Sequence, residues 1–210
     1  VIRLECRVND AASTTSIISD NKIFNVSQLN TSPGFTIIYD LTYSPQIYNN
    51  VLKNCIANTA ISTSDYLNGI VQANASSNNI TTAIKNNIIE NIGINSNAIG
   101  AKVIGIYANT GMIELNSVNG LFNNSTSIIA EVRGIQFGNY AVVKNNSIRL
   151  GLDYNGNNLS SGIIFSGLFG DTYGTISSKI LNNTIYLGGT NTSDANTYCL
   201  NFKILANPPQ

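Results

Sequence analysis

One six-residue pattern returns six times along this 210-residue chain: an apolar residue, two variable positions, an asparagine, one variable position and a second apolar residue. It spans Ile18–Ile23 around Asn21, Ile47–Leu52 around Asn50 and Ile84–Ile89 around Asn87. It continues over Ile113–Val118 around Asn116, Val143–Ile148 around Asn146 and Ile180–Ile185 around Asn183. Successive asparagines are 29, 37, 29, 30 and 37 residues apart. A second pattern alternates with the first, a glycine followed by an apolar residue. It occurs at Gly34-Phe35, Gly69-Ile70, Gly105-Ile106, Gly134-Ile135 and Gly162-Ile163, with Cys199-Leu200 in the glycine's place. Fixed alternation at such a period marks a solenoid, in which each repeat buries its apolar face only by stacking on its neighbours.

The spacing inside the first pattern says how each repeat is bent. Apolar residues five positions apart have opposite parity, so a straight strand sends one to each face. Both reach one interior only if the chain turns a corner between them, at the asparagine. Asparagine tolerates the left-handed conformation that a sharp corner needs, and its amide both donates and accepts. Corners stacked about 4.8 Å apart therefore predict an asparagine ladder through Asn21, Asn50, Asn87, Asn116, Asn146 and Asn183. The fold this implies is all-β, a right-handed parallel β-helix of about six coils. Helices are disfavoured by the β-branched residues and the missing 3.6-residue stripe. Leucine-rich repeats need leucine at fixed positions and a shorter period. Residues 1–16 read as a lead-in strand, centred on Ile2–Val8, or the remnant of a preceding coil. Residues 17–204 read as the β-helix and 205–210 as a linker.

The asparagine corners resemble the ladder of the pectate-lyase-like β-helix superfamily. Repeats worded "NNTIYLGG" and "NNIIENIG" are similar to asparagine-rich segments of large secreted bacterial surface proteins, many of which carry a separate sorting domain for type IX secretion. The resemblance runs from about Ile17 to Ile204. It implies an extracellular or cell-surface location. The opening residues do not read as a signal peptide and do not start with Met, so the expectation is a mature form or a piece of something longer.

Composition narrows the function classes. Charged residues make up only 10 %, and 34 asparagines supply the missing polarity. Net charge is zero, with no basic block, so the chain lacks the basic face that nucleic acid or an anionic membrane requires. No apolar run approaches the roughly 20 residues that span a bilayer. With no histidine, neither a Ser-His-Asp nor a Cys-His device can be assembled, and the commonest zinc ligand is missing. No cofactor and no metal site is expected. Of the three cysteines, Cys6, Cys55 and Cys199, the last two fall at inward positions and read as buried free thiols, with one disulfide plus one spare cysteine the alternative in a secreted protein.

The resemblance implies that an enzyme of this architecture would cluster Asp with Arg or Lys on the outside of one sheet. Counting from the glycines gives an outward file of Thr36, Val71, Tyr107, Gln136, Ile164 and Asn201. The next file holds Ile38, Ala73, Asn109, Gly138, Ser166 and Lys203. With one lysine and no carboxylate, this face has no acid–base pair. Lys85, Glu114 and Lys144 alternate in sign before the corner, and Lys53 and Glu90 follow it, so both sets read as surface charge ladders. Arg149 falls beside Tyr186 as a stacking pair.

Two loops near the fifth coil are richer. "GLDYNGNN" carries Asp153, Tyr154 and Asn155, and "GLFGDTYGT" carries Asp171 and Tyr173. Aromatic rings beside carboxylates and amides are the chemistry of a sugar site, where the ring covers a pyranose face and the polar groups bind hydroxyls. The same residues also make ordinary turns. The expectation is a non-catalytic extracellular module, stalk or adhesin-like, whose partner is a glycan or cell-surface ligand. The alternatives are a β-helix polysaccharide lyase or glycoside hydrolase, and a structural spacer that assembles end to end.

Overall fold

The computed structural model describes residues 15–28, 34–42, 44–58, 66–73, 82–95, 98–153, 155–173, 177–192 and 196–205. The lead-in strand expected over Ile2–Val8 and the last five residues lie outside them, as does Cys6. Every strand of the three main sheets pairs in parallel with a strand roughly one repeat away, so the chain winds as a parallel β-helix.

The first sheet, before the corner, stacks Ile17–Ser19, Gln46–Tyr48, Ala83–Lys85, Gly111–Glu114, Ala141–Lys144 and Lys179–Leu181. The second, after the corner, stacks Lys22–Phe24, Val51–Ala57, Ile88–Ile94, Ser117–Asn123, Ser147–Leu150 and Thr184–Leu187. The third stacks Phe35–Asp40, Tyr66–Gln72, Lys102–Ala108, Glu131–Phe137, Ile164–Tyr173 and Thr197–Leu205. The interior between them is a set of aligned aliphatic columns. Ile47, Ile84 and Ile113 are fully buried from the first sheet, Leu52, Ile89, Val118 and Ile148 from the second, and Ile70, Ile106 and Ile135 from the third. Each such side chain contributes about 2 to 3 kcal/mol of transfer free energy. No corner could hold without that interior.

The six asparagines form one continuous ladder. Each Nδ2 donates to Oδ1 of the asparagine one coil on, at 2.9 Å from Asn21 to Asn50, 3.0 Å from Asn50 to Asn87 and from Asn87 to Asn116, 3.0 Å from Asn116 to Asn146 and 2.9 Å from Asn146 to Asn183. The same Oδ1 accepts the backbone N–H of the earlier asparagine. Carbonyls of the coil before take the other amide hydrogen, as Ile84 does for Asn116. Asn50, Asn87, Asn116 and Asn146 are buried and fully hydrogen-bonded, which is what makes a dry polar file tolerable.

The left-handed residue is not the ladder asparagine but the one before it, a correction to the sequence reading. Asp20, Asn49, Asn86, Leu115, Asn145 and Asn182 have φ between 52° and 59°. Two jobs are divided between adjacent positions: the first residue makes the bend and the second reaches inward. That division explains the Asn-Asn doublets at four of the six corners. Leu115 alone makes the bend with a side chain unsuited to it.

Two further asparagine files run up the outside of the second sheet. Asn54 donates to Asn25 and Asn91 to Asn54, at 3.1 and 2.8 Å. Asn58 donates to Ser27 Oγ, Asn95 to Asn58 and Asn124 to Asn95, at 2.9, 2.9 and 2.7 Å. Asn25, Asn54 and Asn91 are left-handed as well, and Gly120 takes the same conformation on the next coil with φ 62°.

The glycine pattern holds in the middle and slips at two coils. In the register of the third sheet, the column is Gly69, Gly105, Gly134, Gly167 and Cys199, and Ile37 occupies the first position. Gly34 and Gly162 are not in it. A Cβ on Gly134 would lie 2.5 Å from Ile148 Cγ2 and 2.7 Å from Gly167 O, so the column exists because sheets meet there closely. Gly34 has a different cause, the Tyr66 ring lying against its Cα. Cys55 is a buried free thiol, its pKa pushed up by burial. Cys199 is free but exposed, a correction to the expectation of a buried thiol: it lies in the strand at the edge of the third sheet, paired on one side only.

Candidate functional site

Correcting the register changes what the outside of the third sheet carries. One outward file is Thr36, Asn68, Ile104, Arg133, Ser166 and Tyr198, and the next is Tyr39, Val71, Tyr107, Gln136, Phe169 and Asn201. Before them come Lys102 and Glu131, and beyond them comes Asp171 opposite Lys203. The face expected to hold one lysine therefore holds two carboxylates and two further cations.

These groups are joined across three coils. Lys102 Nζ lies 3.6 Å from Glu131 Oε1. Arg133 binds Glu131 through both Nε, at 2.7 Å, and Nη2. Its Nη1 donates to Gln136 Oε1 at 2.8 Å, and Gln136 Nε2 reaches Asp171 Oδ2 at 3.3 Å. The guanidinium lies 3.5 Å from the centre of the Phe169 ring. Arg133 is only 7 % exposed and Phe169 4 %. A nearly buried guanidinium is stable only when its donors and its ring face are both occupied, as here. Asp171 Oδ1 is buried with no hydrogen-bond partner among the described residues, which leaves one strong acceptor at the end of the chain of contacts.

No hydrogen bond among the described residues joins Asp171 to Asp153 or Asn155, while the Asn155 backbone N–H bonds the Asp153 carboxylate. Asp153 is the hub of its own turn. Asn157 donates to it from the backbone at 2.8 Å and from Nδ2 at 2.9 Å, and Gly156 N–H bonds its carbonyl. Those donors, the Asn157 side chain first, hold the Asp153 carboxyl below its ordinary value. Asn155 is exposed in the same turn. Asp171 and Tyr173 lie near the far end of the Ile164–Tyr173 strand. The Tyr173 side chain and all of Tyr154 lie outside the described residues.

The Asp153 turn flanks a cleft of about 200 Å³ lined by Leu159, Ile163, Phe165, Leu187, Thr190 and Thr197. Asn158 Oδ1 receives the Gly189 N–H at 3.2 Å, tying the turn to the wall of that cleft. The small sheet of Ser160–Ser161 and Thr190–Asn191 lies alongside in sequence. Sequence reasoning missed both the cleft and the Arg133 cluster. The glycine slip hid Asp171 and Phe169, and Lys102, Glu131 and Arg133 lie before their glycines, where the outward files were not drawn. The cleft forms from residues with no shared motif.

The remaining charges tie coils together as expected. Glu114 sits between Lys144 at 3.1 Å and Lys85 at 3.6 Å, and Lys53 meets Glu90 at 3.0 Å. Hydrogen bonding from Lys144 is the main cause that draws the Glu114 carboxyl below its ordinary value. Arg149 lies 5.9 Å from the Tyr186 ring centre. Among the described residues no group of three His, Cys, Asp or Glu is placed to hold a metal ion, and no helix is long and apolar enough to cross a membrane. Comparison with protein-family models, curated proteins and solved structures finds no match to this chain.

Proposed function

We propose that this chain is a non-catalytic β-helix module of a secreted or cell-surface protein, a stalk or adhesin-like segment that holds loops at a fixed distance and contacts glycans through them. The observation that carries this reading is where the polar side chains go. Asparagine amides, lysines and glutamates are spent on joining one coil to the next, and the outer asparagine files give way to the Asp153 turn and its cleft only at the fifth coil. A rigid rod with one elaborated coil has the form of a display scaffold. The glycan-binding residues in this reading are Asp153, Tyr154, Asn155, Asp171 and Tyr173. The likeness of the repeats to asparagine-rich surface proteins of the pectate-lyase-like superfamily supports an extracellular location and export by type IX secretion.

The test is glycan-array binding by the intact chain and by a variant with residues 153–158 replaced by a short glycine turn. Binding that disappears in the variant supports the reading, and unchanged binding refutes the loop as the contact. A second reading, a polysaccharide lyase or hydrolase, draws on the Glu131, Arg133 and Asp171 cluster on one sheet face. New reducing or unsaturated ends from a polysaccharide panel, lost in Asp171→Ala, would favour that reading over a passive rod.

A further inference from the structure

One outward file on the second sheet is closed in its first half and open in its second. In register it runs Phe24, Lys53, Glu90, Asn119, Arg149 and Tyr186, one residue per coil. Lys53 and Glu90 neutralise each other at 3.0 Å, and the asparagine files beside them are bonded from coil to coil. The last three residues show no such closure. Among the described residues, the exposed Arg149 guanidinium has no carboxylate and no hydrogen-bond acceptor beside it. The Asn119 amide makes no hydrogen bond to a described residue, and its Oδ1 is buried without a partner. The Tyr186 ring is 52 % exposed. Arg133, the other arginine among the described residues, shows the structural use of this side chain. It binds Glu131 and Gln136 and lies 3.5 Å from the centre of a buried ring. Arg149 stands 5.9 Å from the Tyr186 ring centre, which leaves room between the two groups.

The Asp153 turn bounds this open stretch on one side. The strand Ser147–Leu150 ends just before Gly151, whose φ of 75° turns the chain out of the sheet. The turn then comes back toward Arg149: a Cβ at Gly156 would lie 3.1 Å from Arg149 Nη2. Asn155, exposed, is carried on the same turn. Asn119 and Arg149 lie on coils with a paired neighbour on either side, so their exposure does not depend on what precedes or follows this sequence. Tyr186 points outward between Ile185 and Leu187, which pack against the core, so a further coil would lie beside its ring.

We propose that this niche binds a single terminal sugar carrying a carboxylate. The proposal rests on the reading of the chain as a glycan-contacting surface module, and it gives that module a floor and a ligand class. The unpaired guanidinium takes the carboxylate through two parallel N–H···O bonds. The Tyr186 ring covers the apolar face of the sugar, and the Asn119 and Asn155 amides meet its hydroxyls. One arginine matches one negative charge. A polymer of acidic sugars laid along the file would bring its next carboxylates toward Glu90, whose cation Lys53 is already engaged.

Ligand-observed NMR titration of the intact chain with sialyllactose, lactose, trigalacturonate and a triglutamate peptide tests this. Sialyllactose is expected to bind about tenfold or more tightly than lactose, which lacks the carboxylate, and than triglutamate, which lacks the sugar. Trigalacturonate is expected to bind no more tightly than sialyllactose. Arg149→Gln should remove most of the preference for sialyllactose over lactose, and Arg149→Lys should restore only part of it, because an ammonium cannot form the paired bonds. Tyr186→Ala should weaken sialyllactose binding severalfold. Both side chains are exposed, so these variants keep the fold. Lys144→Gln removes the same charge from the first sheet and should change nothing. Equal binding of sialyllactose and lactose overturns the proposal. So does triglutamate binding as tightly, a markedly tighter trigalacturonate, or a loss in Lys144→Gln as large as in Arg149→Gln. Neutral glycans that bind through the 153–158 turn, with no effect of Arg149→Gln, overturn this niche and leave the surface-module reading standing. Absence of binding to every glycan removes both.

Discussion

The inner and outer asparagine files are built from one side chain at one spacing, yet they do different work. An inner rung such as Asn116 is fully buried and takes part in two bonds with Asn146, two with Asn87 and one with the Ile84 carbonyl. An outer rung such as Asn95 lies in an exposed file and makes one ladder bond on each side. The two files also run oppositely: inner amides donate toward the C-terminal coil and outer amides toward the N-terminal one. Water can replace a lost partner on the outside but not on the inside, so burial, not bond count alone, decides what a rung contributes.

Substitutions that sharpen this contrast rank by burial. Asn116→Ala strands the Asn87 N–H and amide and removes the donor to Ile84, so an expected loss near 3 kcal/mol or more in urea unfolding follows from several buried groups left unpaired. A loss under about 1 kcal/mol would break the comparison. Gly134→Ala comes next, at about 2 kcal/mol, because its Cβ must displace Ile148 and the Gly167 carbonyl. Leu115→Asn should act in the other direction. It puts the preferred residue at φ 57° on an exposed site and is expected to raise stability by about 1 kcal/mol. Asn95→Ala should cost at most about 0.5 kcal/mol, as water takes over its bonds.

The smallest effect is a pH dependence. Glu114 is held below its ordinary value by Lys144 and Lys85, so its contribution is present above the unfolded-state pKa and is lost as pH falls through the lowered folded-state value. Melting curves of wild type and Glu114→Gln should differ at neutral pH and converge once the pH drops below the usual carboxylate range. Curves that stay apart in acid would mean that Glu114 acts by something other than its charge.

The architecture was legible in the sequence because the ladder needs the same side chain at the same place in every coil. Asn21 through Asn183 could be aligned by eye, and the charge ladder of Lys85, Glu114 and Lys144 followed from that alignment. The bend itself was misassigned by one residue, since an Asn-Asn doublet does not say which member turns and which reaches inward. The outer files were visible in principle at four and eight residues past the ladder, as in Asn50, Asn54 and Asn58, but their surface role gave them no apolar partners to flag them. The glycine column failed where Ile37 stands in for glycine and where Gly162 lies five residues before the true position, Gly167. That slip concealed Phe169 and Asp171, two and four residues past Gly167, whereas Arg133 and Glu131 lie one and three residues before the correctly placed Gly134, on the side of the glycine that the outward files did not cover.

Native-state hydrogen exchange measures the central claim most directly, that a buried amide file locks the coils together. The backbone N–H groups of Asn50, Asn87 and Asn116, each bonded to the Oδ1 one coil on, should exchange only with global unfolding, while that of Asn183 should exchange rapidly. Equal, fast exchange at Asn87, Asn116 and Asn183 would contradict the account.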